Sequence, residues 1–279
     1  MVIDFHGHIE DDMGFVDELL RRMDFYHIEK LVLFNPINRA TQKIVNMHPD
    51  RFEGFVVVNP LYQDALETLK RFLGEGFRGV KMNPTGNWPQ PYYPNDPAAY
   101  PAYELIASYG VPLLYHTGII YRNPQNPAAT KVKYCMPIHF DDVARDIPDL
   151  TLILAHGGRP FIEQTLSLCV CPNVMIDISW SQLPVYFYRR MVKDLLMAFG
   201  PDRLIYGSDV NINRPSAISE NFVHAKTILD NLQIDASSIQ KIMGDNAAAL
   251  LGIKKPPVKA CYTMAERPDT NVAGGFCPF

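Results

Sequence analysis

The sequence predicts a single (β/α)8 TIM barrel, on three observations. Its 279 residues fit one such domain without requiring a second. About eight short apolar, β-branched runs alternate with amphipathic stretches along it. Ligand-type residues recur just where those runs stop: His6 and His8, His116, His156 and Asp209. Barrel enzymes collect their working residues at those strand ends.

In chain order the strands are expected at Val2–His6, Lys30–Phe34, Phe55–Asn59, Gly79–Asn83, Val111–His116, Leu150–His156, Val174–Ile178 and Leu204–Ser208. LLY before His116 and LILA before His156 are nearly continuous apolar runs, as parallel strands covered on both faces require. An open doubly wound sheet normally carries a Gly-rich phosphate turn after its first strand, and none is present there. Between strands, Asp64–Leu73 sets Leu66, Leu69 and Phe72 or Leu73 on one helical face, and Ile162–Val170 repeats the pattern with Leu166 and Val170. The last helix is expected from about Ser237 to Leu251, with Asp235 as N-cap, Ile239, Ile242, Met243, Ala247, Leu250 and Leu251 on its buried stripe and Gly252 at its end. The barrel is assigned to residues 1–253, and 254–279 shifts to Pro, Gly and polar residues without a period and reads as a tail. The longest connections, Pro84–Pro97, Thr117–Pro137 and Val210–Ser216, follow the fourth, fifth and eighth strands and would form the mouth.

Hydrophobic residues at 47% and charged residues at 20% are ordinary for a soluble globular protein. A formal charge of -4, with no basic block or zinc-finger spacing, argues against a nucleic-acid partner. No apolar run reaches the length of a membrane span, and Met1 leads straight into VIDFH, so the expected location is the cytoplasm with no membrane partner. None of the five cysteines forms a C-x-x-C pair. Cys169 and Cys171 read as small buried side chains near a helix end, and Cys135 as an inert thiol.

Alternate residues on a strand share a side, so His6 and His8 can offer two imidazoles to one ion. A lone His-x-His is a weak signal, but here histidines end three separate strands. Small residues follow His116 (Thr-Gly) and His156 (Gly-Gly), letting the chain turn away and leave each ring at the mouth. An Asp after a strand often N-caps the next helix. After Asp209 the Asn-Ile-Asn-Arg stretch and Pro215 delay that helix, which weakens the capping account.

His-x-His after the first strand, GVK at the fourth, HTG at the fifth, AHGGRP at the sixth, Asp-Ile-Ser at the seventh, YGSD at the eighth and a final GDNAAALLG helix together resemble the amidohydrolase superfamily. More narrowly, they are similar to the amidohydrolase-related branch that includes aminocarboxymuconate-semialdehyde decarboxylase, resorcylate-type decarboxylases and lactonases, over Val2 to Gly252. The resemblance implies that His6, His8, His116 and Asp209 bind one divalent metal, zinc first and manganese second, with His156 positioning the attacking water and Asp209 passing protons. In binuclear members a carboxylated lysine bridges two ions from the fourth strand. Lys81 occupies the matching strand end, which leaves three readings open: a two-metal site, a substrate-anion contact, or a packed, snorkelling lysine.

The rim adds Arg122, Arg159 and Arg214 as candidate carboxylate contacts, Arg159 being the best placed, with Trp88 and Tyr121 as apolar wall. Tyr92, Tyr93 and Trp180 share that wall role; for all five aromatics the alternative is packing of the loops against each other, and for each arginine a surface or salt-bridging role. The expected activity is metal-dependent hydrolysis of an ester, lactone or amide in a small carboxylated molecule. Its alternatives are a non-oxidative decarboxylase and, third, a barrel that binds metal without catalysis. A homo-oligomer is expected only from class behaviour.

Overall fold

The computed structural model describes residues 1–85, 91–120, 130–179 and 184–254. Eight parallel strands lie in sequence order, each hydrogen-bonded to the next. They are β1 (Ile3–His8), β2 (Lys30–Phe34), β3 (Phe52–Val57), β4 (Gly79–Met82), β5 (Leu113–Tyr115), β6 (Leu152–Leu154), β7 (Val174–Asp177) and β8 (Leu204–Ile205). The barrel closes where Phe5 N donates to Tyr206 O (3.0 Å), Asp209 N to His6 O (2.8 Å) and His8 N to Val210 O (2.8 Å). The outer helices are α1 (Met13–Phe25), α2 (Asn38–Met47), α3 (Ala65–Gly74), α4 (Tyr100–Ser108), α5 (Phe140–Asp146), α6 (Ile162–Ser167), α7 (Val185–Phe199) and α8 (Ala217–Asn231). The chain thus adopts the predicted (β/α)8 barrel.

Alternation along the strands sorts the core into two shells. Val32, Leu114, Ile153 and Ile205 pack together inside, while their neighbours Leu113, Tyr115, Leu152, Leu154 and Leu204 pack outward against the helices. Ala247, Ala248 and Leu251 belong to the inner cluster with Ile3 and Ile205, so the C-terminal helix plugs the end of the barrel opposite the mouth. Burial of these side chains follows directly from the near-continuous apolar runs.

Most strands differ from the expectation at their ends. β3 starts earlier than expected because Glu53, which breaks the apolar run, is held in the ladder by Lys30 at 2.8 Å. The fifth, sixth and eighth runs stop short of His116, His156 and Ser208, since the chain turns there instead of continuing the ladder. The expected final helix is split into α9 (Ala236–Gln240), a π-helical turn (Lys241–Asp245) and α10 (Asn246–Leu250). In that turn the Ile242 carbonyl accepts from Tyr206 N at 2.9 Å, tying it to β8. Asp235 caps α9 as expected, accepting from Ser238 N at 3.0 Å. Residues 255–279, nearly all of the expected tail, lie outside the described residues.

Candidate metal centre

A bulge in β1 builds the first half of the site. Asp4 pairs with Leu31 and Gly7 with Leu33, so three steps on β1 match two on β2. Ile3 and Phe5 already face the barrel interior. In an unbroken strand His6 and His8 would therefore face outward; the extra residue rephases them to the inside. Gly7 then faces outward, where an added Cβ would lie 2.9 Å from the Leu31 side chain.

Two left-handed residues build the second half. Asp209 (φ 57°) and His156 (φ 60°) both occupy a region that non-glycine residues rarely visit, and both follow a strand end. Gly207 allows Asp209 its position, since a Cβ there would lie 2.7 Å from His6 Cβ and 2.9 Å from Asp177 Oδ1. His156 is followed by Gly157 and Gly158, also left-handed, and Thr165 Oγ1 fastens the turn through Gly157 O at 2.9 Å.

Three ligand-type atoms converge. His6 Nε2 lies 3.3 Å and His8 Nε2 3.2 Å from Asp209 Oδ1, and the trio could hold one ion. His6 is fully buried, and that burial, with Lys81 nearby, drives its pKa well below the usual imidazole value, so the ring is neutral. Its Nδ1 lies 2.6 Å from Asp177 Oδ2 and donates to that carboxylate. A neutral ring protonated at Nδ1 carries a bare lone pair at Nε2. That lone pair lies 3.3 Å from the Asp209 carboxylate and 3.4 Å from Lys81 Nζ, so Lys81 is one cation beside the two acceptors and a bound ion would be another. Burial works to raise the Asp209 pKa, but His6, His8 and Lys81 outweigh it and hold the carboxyl below its usual value. The donor set therefore fits a divalent ion, with the carboxylate–histidine pair that metal sites use to orient a ligand ring.

Sequence reasoning assigned no role to Asp177 or Ser179, although the Asp-Ile-Ser run ending an apolar strand was their signal. Ser179 Oγ donates to Asp177 Oδ2 at 2.8 Å and lies 2.8 Å from His156 Nδ1. With its one proton directed to the carboxylate, Ser179 accepts from His156 Nδ1–H, which leaves His156 Nε2 as an acceptor. Burial and the neighbouring imidazoles hold His156 neutral.

His116 stands apart from the trio. Its Nε2 contacts the Ile119 carbonyl at 3.2 Å, and its ring packs edge-on against His156 at 5.0 Å. Burial pushes its pKa down to about 3. Lys81 is buried with Nζ 3.4 Å from His6 Nε2 and 5.1 Å above the Phe34 ring. Desolvation lowers its pKa to about 8. His8, Lys81, Asn35, Asn83 and Thr85 line a chamber of about 190 Å³ with Phe34 on its wall. Asn35, Asn83 and Thr85 were not anticipated, because Asn and Thr after a strand carry no distinctive spacing.

The rim candidates separate. Arg159 is buried beside His156, and its side chain lines a different cavity, toward Phe187 and Met191 of α7. Arg214 donates to Glu220 at 2.6 Å. Tyr93 packs on Tyr134 and His139, so it joins the two mouth loops. Tyr92 is buried in the outer shell near Tyr103. Trp88, Tyr121, Arg122 and Trp180 lie outside the described residues. Cys171 is buried as expected, Cys169 is half-buried where burial was expected, and Cys135 is buried. No helix among the described residues is long and apolar enough to cross a membrane.

A family profile described as amidohydrolase matches residues 3–253. The chain belongs to the amidohydrolase family. It is accordingly an enzyme of a family that typically depends on metal. Solved structures share the fold at low identity. A zinc-bound amidohydrolase from Burkholderia multivorans has a TM-score of 0.70 and 14% identity over 91% of this chain and 100% of that one. A probable 2-pyrone-4,6-dicarboxylic acid hydrolase from Acinetobacter baumannii has a TM-score of 0.67 and 17% identity over 90% and 99%. A 2,6-dihydroxybenzoate decarboxylase from Rhizobium has a TM-score of 0.62 and 19% identity over 90% and 98%. No curated protein matches the sequence.

Proposed function

We propose that this amidohydrolase is a hydrolase of a small carboxylated molecule, cleaving an ester, lactone or amide with one divalent ion, zinc, held by His6, His8 and Asp209. His116 completes the set once its Nε2 leaves the Ile119 carbonyl. The ion, when bound, supplies Lewis-acid polarisation of a carbonyl oxygen and lowers the pKa of water beside it.

The observation that carries the reading is the direction of the hydrogen bonds. Asp209 Oδ1 is the acceptor beside His6 and His8 Nε2, and the Ser179 bond to Nδ1 leaves His156 Nε2 as a second acceptor. Acceptors suit the first step of hydrolysis, removal of a proton from water; the same Asp209, once protonated, is the donor a decarboxylase would use, so the labelled-water experiment separates the two. Asp209 takes the water proton and returns it to the leaving group, while His156 Nε2 orients the water's other hydrogen.

Lys81 supports the carboxylated substrate. Lys81 is buried beside the chamber, where Asp177 and Asp209 favour its charge and His6 Nε2 lies 3.4 Å from Nζ. Its ammonium is the cation nearest the chamber and would meet a substrate carboxylate, with Glu10 on the same wall requiring that the carboxylate sit on the Lys81 side. At about 190 Å³ the chamber suits a compact acid.

The test is turnover of carboxylated lactones, esters and aromatic acids in ¹⁸O-labelled water with carbon dioxide measured in parallel. Label in the product with no gas supports hydrolysis. Gas without label would assign the same residues to a non-oxidative decarboxylase.

A further inference from the structure

We propose that Asp4 is a positioning residue that fixes the separation of His6 and Asp209 by acting as a side-chain acceptor in the barrel seam. The inference rests on the metal-centre reading for its consequence, though its geometry stands apart from it.

The bulge in β1 and the turn after β8 meet at the seam, and each leaves a main-chain amide in need of an acceptor. In an unbroken parallel ladder that begins with Phe5 N donating to Tyr206 O, the Ser208 amide would return to a β1 carbonyl. It donates instead to Asp4 Oδ1, at 2.8 Å. The amide of His6, inside the bulge, donates to the same oxygen at 3.1 Å. One carboxylate oxygen thus ties the residue before Asp209 to His6 itself. Two further bonds continue the stitch: Asp209 N to His6 O at 2.8 Å and Val210 N to Ser208 Oγ at 3.2 Å.

Asp4 is fully buried and points away from the metal-facing side, so it touches neither ion nor substrate. Its Oδ2 has no hydrogen-bond partner among the described residues, and the two tying contacts both use Oδ1. The role therefore requires an oxygen at one place and not a negative charge. Asparagine supplies that oxygen; alanine and valine do not.

The experiment measures zinc affinity of the full chain by competition with a chromophoric chelator, and amide hydrogen exchange at His6 and Ser208 in the zinc-free proteins. Asp4→Ala is expected to lose between about 10- and 100-fold in affinity, the usual effect of removing a group that orients a ligand, and both amides lose protection. Asp4→Asn keeps protection and stays within about threefold of the parent, a window narrower than that orienting-group effect. If Asp4→Ala does not fold, Asp4→Val, which keeps a side chain of similar size without an acceptor, takes its place. Equal losses in Asp4→Asn and Asp4→Ala would overturn the proposal in favour of a charge effect, and parental affinity with retained protection in Asp4→Ala or Asp4→Val would overturn it outright. A parent protein that takes up no zinc defeats the metal reading alone, because exchange at the two amides still decides the role of Asp4.

Discussion

A neutral imidazole has one donor and one acceptor, so the partner of one nitrogen decides what the other can do. Asp177 makes that decision for His6, and Ser179 makes it for His156. Asp177→Asn replaces a carboxylate acceptor with an amide whose NH2 group can present a donor to the ring, and zinc affinity is expected to fall by roughly 10–100-fold in a chelator competition. Ser179→Ala is expected to leave zinc content near one equivalent while kcat drops at least tenfold, an order-of-magnitude figure for loss of an orienting partner. Unchanged kcat in Ser179→Ala would remove His156 from the proton path. Of these residues, the two histidines of the strand-end pattern were legible in the sequence. The directions of their hydrogen bonds were not, because they depend on partners 171 and 23 positions away.

Turns that break the ladder matter more to this site than the strands themselves. The sequence announced them through HTG, AHGG and YGSD, and the glycines prove to be contact requirements. Gly118 has φ +82°, and a Cβ there would fall 2.0 Å from the Arg159 carbonyl oxygen, so the turn after β5 is locked against the turn after β6. Gly118→Ala is expected to destabilise by more than about 2 kcal/mol, from left-handed strain plus the backbone clash. Gly110 has φ +65° with nothing within 4 Å of its Cβ position, and Gly110→Ala should cost only about 1 kcal/mol. Urea unfolding of the two variants checks the difference; equal losses would show that strain alone operates. The β1 bulge was not legible, because the alternation that puts His6 and His8 on one side holds with or without it. Only pairing with β2 reveals that the extra residue turns that side inward.

For the whole molecule, the buried groups set a distinctive response to acid in the zinc-free protein. His6, His116 and His156 have lowered pKa values when folded, so their contribution is complete above the ordinary value of 6.5 and is lost as pH falls toward the folded values. Asp4 and Asp177, raised by burial to about 7 and about 6, act oppositely: their contribution is complete below 3.8 and lost as pH rises through the folded values. Between pH 6 and 4 proton uptake by the unfolded chain on the lowered histidines, His224 among them, is opposed by uptake on Asp4 and Asp177 in the folded one, so the pH dependence is shallow. Below the ordinary carboxylate value that opposition ends, and the lowered Asp209 and Glu220 add to the histidines, so the dependence steepens. Urea midpoints should therefore fall gently from pH 6 to 4 and sharply below; a loss concentrated between 6 and 5 would contradict this balance.

The barrel and its mouth were legible because apolar runs, helical stripes and strand-end ligands all repeat with the (β/α) period, whereas the chamber beside Lys81 comes from Asn35 after β2 and Asn83 and Thr85 after β4, residue types with no distinctive pattern. The central claim is that His6, His8 and Asp209 hold one divalent ion. Elemental analysis of the purified protein beside His8→Ala and Asp209→Ala tests it most directly. The account predicts about one zinc per chain, by the stoichiometry of a single open catalytic site, and its loss in both variants with the fold retained. A protein that stays metal-free after incubation with zinc and manganese, or an ion that survives in Asp209→Ala, would contradict it.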